Sequence, residues 1–122
     1  MSSMWIGIVV GVFIVLALAW KFTLGGSGGS GFNGAVVREK IKMGAMAIDV
    51  RSQAEYQSGH YQGAKNIPVQ ELQSRLGELG DKNKAIVVYC ASGMRSAKAL
   101  SILTKAGFTD VMNAGTMRNL ER

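Results

Sequence analysis

From Met4 to Trp20 the chain carries no charged residue, and this run limits what its N-terminal part can become. Met4 to Leu24, interrupted only by Lys21, matches the roughly 20 residues that cross a bilayer's hydrocarbon core. Trp5 and Trp20 bracket the run, where indoles favour the two membrane interfaces. A buried helix of a globular core would show a polar face at helical spacing, and this segment has none. A cleaved signal peptide competes, because Ala17-Leu18-Ala19 resembles a small-residue cleavage site. Against it, Met1-Ser2-Ser3 offers no basic n-region and the apolar run is long for an h-region. The balance predicts an uncleaved, single-pass transmembrane helix within residues 1–24. Lys21, Arg38, Lys40 and Lys42 follow the span and no basic side chain precedes it, so the positive-inside bias keeps the C-terminal part cytoplasmic. Gly7 and Gly11 form a G-x-x-x-G pattern, through which two such helices could approach as a homodimer.

Gly25 to Gly34 (GGSGGSGFNG) reads as a flexible linker, with a root-mean-square span of about 17–19 Å. Residues 35–122 then alternate helical and strand patterns. A short helix carries Val36, Val37, Ile41 and Met43 and closes at Gly44, and Ala45–Val50 follows as a buried strand. A polar helix is expected near Ser52–Gln57, and extended backbone at Asn66-Ile67-Pro68. Pro68 opens a helix with Val69, Leu72, Leu76 and Leu79 on one side. Ala85–Tyr89 is the clearest strand, Ser96–Ala106 an amphipathic helix ended by Gly107, and Asp110–Ala114 a last strand. Continuous apolar strands alternating with helices predict an α/β domain whose central parallel sheet is covered on both faces.

All charged residues lie from Lys21 onward, so the net charge of +6 belongs to the part outside the apolar run. The basic residues are scattered, without an arginine-rich run or interleaved aromatics, which argues against nucleic acid as a partner. The single cysteine excludes an internal disulfide, and one Cys with one His falls short of a structural zinc site. Neither a metal nor another cofactor is called for.

The chemistry concentrates in Cys90-Ala91-Ser92-Gly93-Met94-Arg95-Ser96. A buried strand running into a short loop and then a helix puts Cys90 at the strand's carboxyl end, where open α/β sheets bind ligands. Loop amides and the helix N-terminus can converge there on an anion, with Gly93 permitting the tight turn and Arg95 adding a positive charge. All of this favours the thiolate. The competing reading is a buried apolar cysteine at a strand end.

Several further motifs accompany this loop: Asp49-Val50-Arg51, Glu55-Tyr56, Gly59-His60-Tyr61-Gln62-Gly63-Ala64-Lys65-Asn66-Ile67-Pro68, Ala106 to Val111, and Asn113 to Arg118. In order and spacing they resemble the rhodanese homology domain over nearly all of residues 35–120, and the whole chain resembles small bacterial rhodanese proteins with one N-terminal membrane segment. The resemblance implies ping-pong sulfur transfer, in which Cys90 takes sulfane sulfur from a small donor (thiosulfate, polysulfide or a low-molecular-weight persulfide) and passes it to a thiol or cyanide acceptor. It implies that the backbone from Ala91 to Ser96 cradles the persulfide, that Arg95 helps to bind the anionic donor, and that the domain sits at the inner (cytoplasmic) membrane. Asp49 and Arg51 are expected in supporting roles, with Asp49 tied to neighbouring loop amides and Arg51 paired with Glu55 at the surface. His60 is expected to be a hydrogen-bonded turn residue rather than a general base. The Cys-x4-Arg loop is one residue shorter than that of related phosphatases, which favours sulfur over phosphate. Two departures stand out. Ala91 follows the cysteine where many members carry a basic residue, which weakens the case for thiosulfate, and Leu120 stands where the family often has Trp. The alternative function is a non-catalytic rhodanese-like module that binds a membrane partner.

Overall fold

The computed structural model describes residues 33–121. The expected span at 4–24, its Gly7/Gly11 pattern and most of the Gly/Ser linker lie outside the described residues. Among those described, no helix is long and apolar enough to cross a membrane.

Asn33 caps the first helix, α1 (Gly34–Lys42), by accepting a hydrogen bond from the Val36 amide. The last two residues of the sequence-predicted linker therefore begin the folded unit. Strand β1 (Met46–Asp49) follows, then α2 (Gln53–Gln57), whose capping box joins Ser52 and Glu55 reciprocally. Next come β2 (Lys65–Asn66), α3 (Val69–Leu72) and a separate 3₁₀ turn at Leu76–Leu79. Strand β3 (Ile86–Cys90) leads into α4 (Met94–Lys105), and β4 (Val111–Thr116) into α5 (Arg118–Glu121).

The four strands form one parallel sheet in the order β2-β1-β3-β4. Strand β3 is buried along its whole length, and its side chains divide by the two-residue period of a strand. Ile86, Val88 and Cys90 face a core shared with Leu72, Leu79, Ala99, Leu103 and Phe108. Val87 and Tyr89 face a smaller core with Val37, Ala64, Ala114 and Leu120. Helix α4 thus covers one face and α1 with α5 the other, which is the two-sided cover expected of a parallel sheet. Leu120, at the place where the resemblance leads one to expect Trp, is buried and holds α5 against the second core.

Between β3 and β4 the register shifts, pairing Val88 with Asn113 but Tyr89 with Gly115. This bulge gives β4 one extra residue. The Asn113 side chain accepts the Gly115 amide at 2.8 Å, and Gly115 takes a φ of 76°, a left-handed value suited to glycine. Beyond the bulge, Thr116 lies opposite Cys90.

Candidate active site

Three strand ends converge. Asp49 ends β1 beside Tyr89, Cys90 ends β3, and Thr116 ends β4 across from the cysteine. They open onto a cleft of about 390 Å³ lined by Arg51, Cys90, Ala91, Thr116, Met117 and Arg118. A second groove, of about 310 Å³ and lined by Tyr56, Gln57, Glu71 and Arg75 among others, has no thiol.

Cys90 is only 1% exposed. Its Sγ accepts the Gly93 amide at 2.9 Å and the Ser96 amide at 3.4 Å, and lies 3.4 Å from the Ser96 hydroxyl. Gly93, whose amide meets the sulfur, turns the chain into α4 with a φ of 97°, a value that costs a side-chain-bearing residue strain. Met94 and Arg95 open α4, so their amides have no carbonyl one turn back. Burial pushes the Cys90 thiol up. The Ser96 hydroxyl and the Ser96, Ser92 and Gly93 amides outweigh it, and the net shift is downward, toward the thiolate. Of the predicted cradle, Gly93 and Ser96 therefore reach Sγ directly. Ala91, Ser92 and Met94 shape an exposed rim around it.

The Ser96 hydroxyl also lies 3.0 Å from the Gly93 carbonyl, to which it donates. One hydroxyl proton cannot serve both partners. With a neutral thiol, Ser96 donates to Gly93 and accepts from Sγ–H; with a thiolate, the proton turns to sulfur. The Gly93 carbonyl keeps the Ala97 amide at 3.0 Å and the Asn113 side-chain amide at 3.5 Å.

The ion pairs differ from the sequence expectation. Arg51 and Glu55 do not pair with each other. Asp49, fully buried, accepts Arg51 Nε at 2.9 and 3.1 Å, Arg51 Nη2 at 2.6 Å and the Arg51 amide at 2.9 Å. Arg51 precedes the cap of α2, so the four-residue spacing to Glu55 never falls on one helical face. Its guanidinium also donates to the Gly59 carbonyl at 2.7 Å and lies 5.7 Å from the Tyr89 ring centre. Glu55 instead takes Arg95 in a bidentate pair at 2.6 and 3.0 Å. The Arg95 hydrogen bond chiefly holds the Glu55 carboxyl down at about 2. Arg95, expected to reach the donor, is thereby drawn toward α2. His60 behaves as the turn residue expected, with Nδ1 2.8 Å from the Tyr56 carbonyl and its ring stacked on Tyr56. Arg118, in a motif of the sequence resemblance but not singled out there as a site residue, lines the cleft.

A model of the rhodanese-like domain matches residues 35–115. The chain belongs to the rhodanese-like domain family. Over 74 residues it is 43% identical to the thiosulfate sulfurtransferase PspE of Escherichia coli, covering 60% of this chain and 71% of that protein. Among solved structures, a rhodanese with anions from E. coli superposes with a TM-score of 0.60 at 41% identity, covering 63% of this chain and 92% of that one. The human single-domain sulfurtransferase TSTD1 gives 0.63 at 31% identity, covering 70% and 88%. The parallel sheet with helices on both faces is thus the rhodanese fold, and the chain's relatives in the rhodanese family include sulfurtransferases.

Proposed function

We propose that this protein is a rhodanese-type sulfurtransferase that carries sulfur as a persulfide on Cys90. The observation that supports it most directly is the Gly93 amide 2.9 Å from Sγ, in a loop whose donors lower the thiol's pKa against the effect of burial. In the first half-reaction the Cys90 thiolate attacks the sulfane sulfur of thiosulfate, polysulfide or a low-molecular-weight persulfide. The donor's S–S bond breaks, and sulfite, a shorter polysulfide or a thiolate leaves with the electron pair. In the second half, a thiolate or cyanide attacks the outer sulfur, Cys90 departs as thiolate, and a new persulfide or thiocyanate is released. The amides that hold the thiolate suit both leaving and attacking sulfur, because the charge stays within the same loop. Asp49 supports the site by fixing Arg51 at the cleft wall.

The apolar run at Met4–Leu24 supports a second part of the reading: a single-pass anchor in the inner membrane, with the sulfurtransferase domain cytoplasmic and Gly7/Gly11 as a dimer contact.

Intact-mass spectrometry of the full-length protein tests both parts. Incubation with each donor should add one sulfur atom, removable by cyanide and absent from Cys90→Ser. The same spectrum should retain the N-terminal residues, and the protein should partition with membranes. If a folded protein with a free thiol gains no sulfur from any donor, the non-catalytic binding module replaces the enzyme.

A further inference from the structure

Three guanidinium groups lie at or beside the Cys90 loop, and their charges are not equivalent. Arg51 is matched by the buried carboxylate of Asp49. Arg95 is matched by Glu55, which is fixed a second time by the Ser52 amide at 3.3 Å and hydroxyl at 3.1 Å. Arg118 lines the cleft and is exposed; among the described residues no carboxylate lies within ion-pairing distance and its side chain makes no hydrogen bond. The Arg51–Asp49 and Arg95–Glu55 pairs each sum to zero, so among the described residues lining the cleft Arg118 is the remaining positive charge. A Cys90 thiolate repels an anionic donor, and Ala91 supplies no cation beside it.

We propose that Arg118 binds the anionic end of the sulfur donor and so selects donors whose leaving group is an oxyanion of high charge. This rests on the sulfur-transfer reading and deepens it. For thiosulfate, Arg118 engages the sulfonate oxygens while the Cys90 thiolate attacks the sulfane sulfur. The S–S bond of the donor breaks, sulfite leaves with the electron pair as a dianion, and Cys90 is left as the persulfide anion. Planar guanidinium donors suit an oxyanion of this kind, and the pair is stronger than one between neutral groups. In this chain the cation thus enters from the segment after β4 instead of from the position after the cysteine.

The test compares thiosulfate with methanethiosulfonate, which delivers the same sulfane sulfur but releases methanesulfinate, a leaving group with one negative charge fewer. Steady-state transfer to cyanide is measured at constant ionic strength for wild type, Arg118→Met and Arg118→Lys. Arg118→Met is expected to raise the KM for thiosulfate about tenfold and that for methanethiosulfonate about threefold or less. Arg118→Lys should recover most of the thiosulfate KM, and added salt should weaken thiosulfate use in wild type more than in Arg118→Met. Equal effects on both donors would make Arg118 a structural support and overturn the proposal, as would no effect on either. Circular dichroism and urea midpoints check each variant's folding; if Arg118→Met is misfolded, the ratio of the two KM values in Arg118→Gln decides. If wild type forms no persulfide with either donor, the sulfur-transfer reading itself fails, whereas equal persulfide yield and KM in wild type and variant sink only the role of Arg118.

Discussion

Replacing Ser96 by alanine isolates the hydroxyl's share in activating Cys90. In the thiol state Ser96 donates to Gly93 at 3.0 Å, and in the thiolate state it turns to Sγ at 3.4 Å. A hydrogen bond to a charged group contributes about 1.5–3 kcal/mol and a neutral one about 0.5–1.5 kcal/mol. The exchange therefore favours the thiolate by about 1–1.5 kcal/mol, close to one pKa unit. The separation of 3.4 Å is long, and the variant thiol also loses a weak acceptor, so the expected upward shift in Ser96→Ala is about 0.5–1 unit. The Gly93 carbonyl keeps the Ala97 and Asn113 donors, so the loop is not left with an unpaired group. The assay is the pH dependence of single-turnover persulfide formation, paralleled by alkylation of Cys90 with iodoacetamide. Below the thiol's pKa the variant should be about three- to tenfold slower, because the thiolate fraction there scales with the shift. Well above the pKa the two curves should converge. Ser101→Ala, exposed on the same helix, serves as the control. A pKa unchanged within 0.2 units (roughly 0.3 kcal/mol) would refute the exchange and leave the backbone amides as the sole activators.

Two other perturbations probe the ion pairs. Asp49→Asn leaves Arg51 without the buried carboxylate that accepts four hydrogen bonds from it; a loss of about 3 kcal/mol in urea unfolding is expected, with persulfide formation impaired even in the protein that remains folded. The Glu55 carboxyl is held at about 2 in the fold, below its usual 4.5, chiefly by Arg95, so its stabilising effect is fully present above about pH 4.5 and fades as pH falls toward 2. Because Glu55 is 37% exposed, solvent screens much of that effect, and the difference in urea midpoint between wild type and Glu55→Gln should be modest at pH 6 and vanish near pH 2; a difference that persists in acid would point to packing instead of charge.

Much of this architecture was legible in the sequence, for local reasons. Strand β3 and α4 are read from a continuous apolar run, a glycine and a helical period, all within Ala85–Gly107. Helix α4 begins two residues earlier than the apolar pattern indicated, since Met94 and Arg95 belong to its polar first turn. The helix expected from Pro68 through Leu79 divides in two. Ser74 bonds the Glu71 carbonyl through its side chain at 2.9 Å, and such local competition, with Gly77 close behind, lets the backbone leave the α-helical path. Cys90 and its amide donors were legible because loop and helix are contiguous. The charge partners were not. Arg95 meets Glu55 across 40 positions, and that Arg118, among the described residues lining the cleft, has no carboxylate partner depends on contacts that no local pattern encodes.

The bulge at Asn113–Gly115 has a consequence for how the site is assembled. The groups that reach Cys90 Sγ lie in one uninterrupted stretch, Cys90 to Ser96, whereas the two arginines that line the cleft come from elsewhere, Arg51 after β1 and Arg118 after β4. The extra residue in β4 sets which face Thr116 presents opposite Cys90, since a slip of one position turns a strand's side chains to the opposite face. Arg118 follows two residues later, at the start of α5, and lines the same cleft. The amide cradle around the sulfur and the charged wall of the cleft are thus supplied by separate stretches of a single small fold.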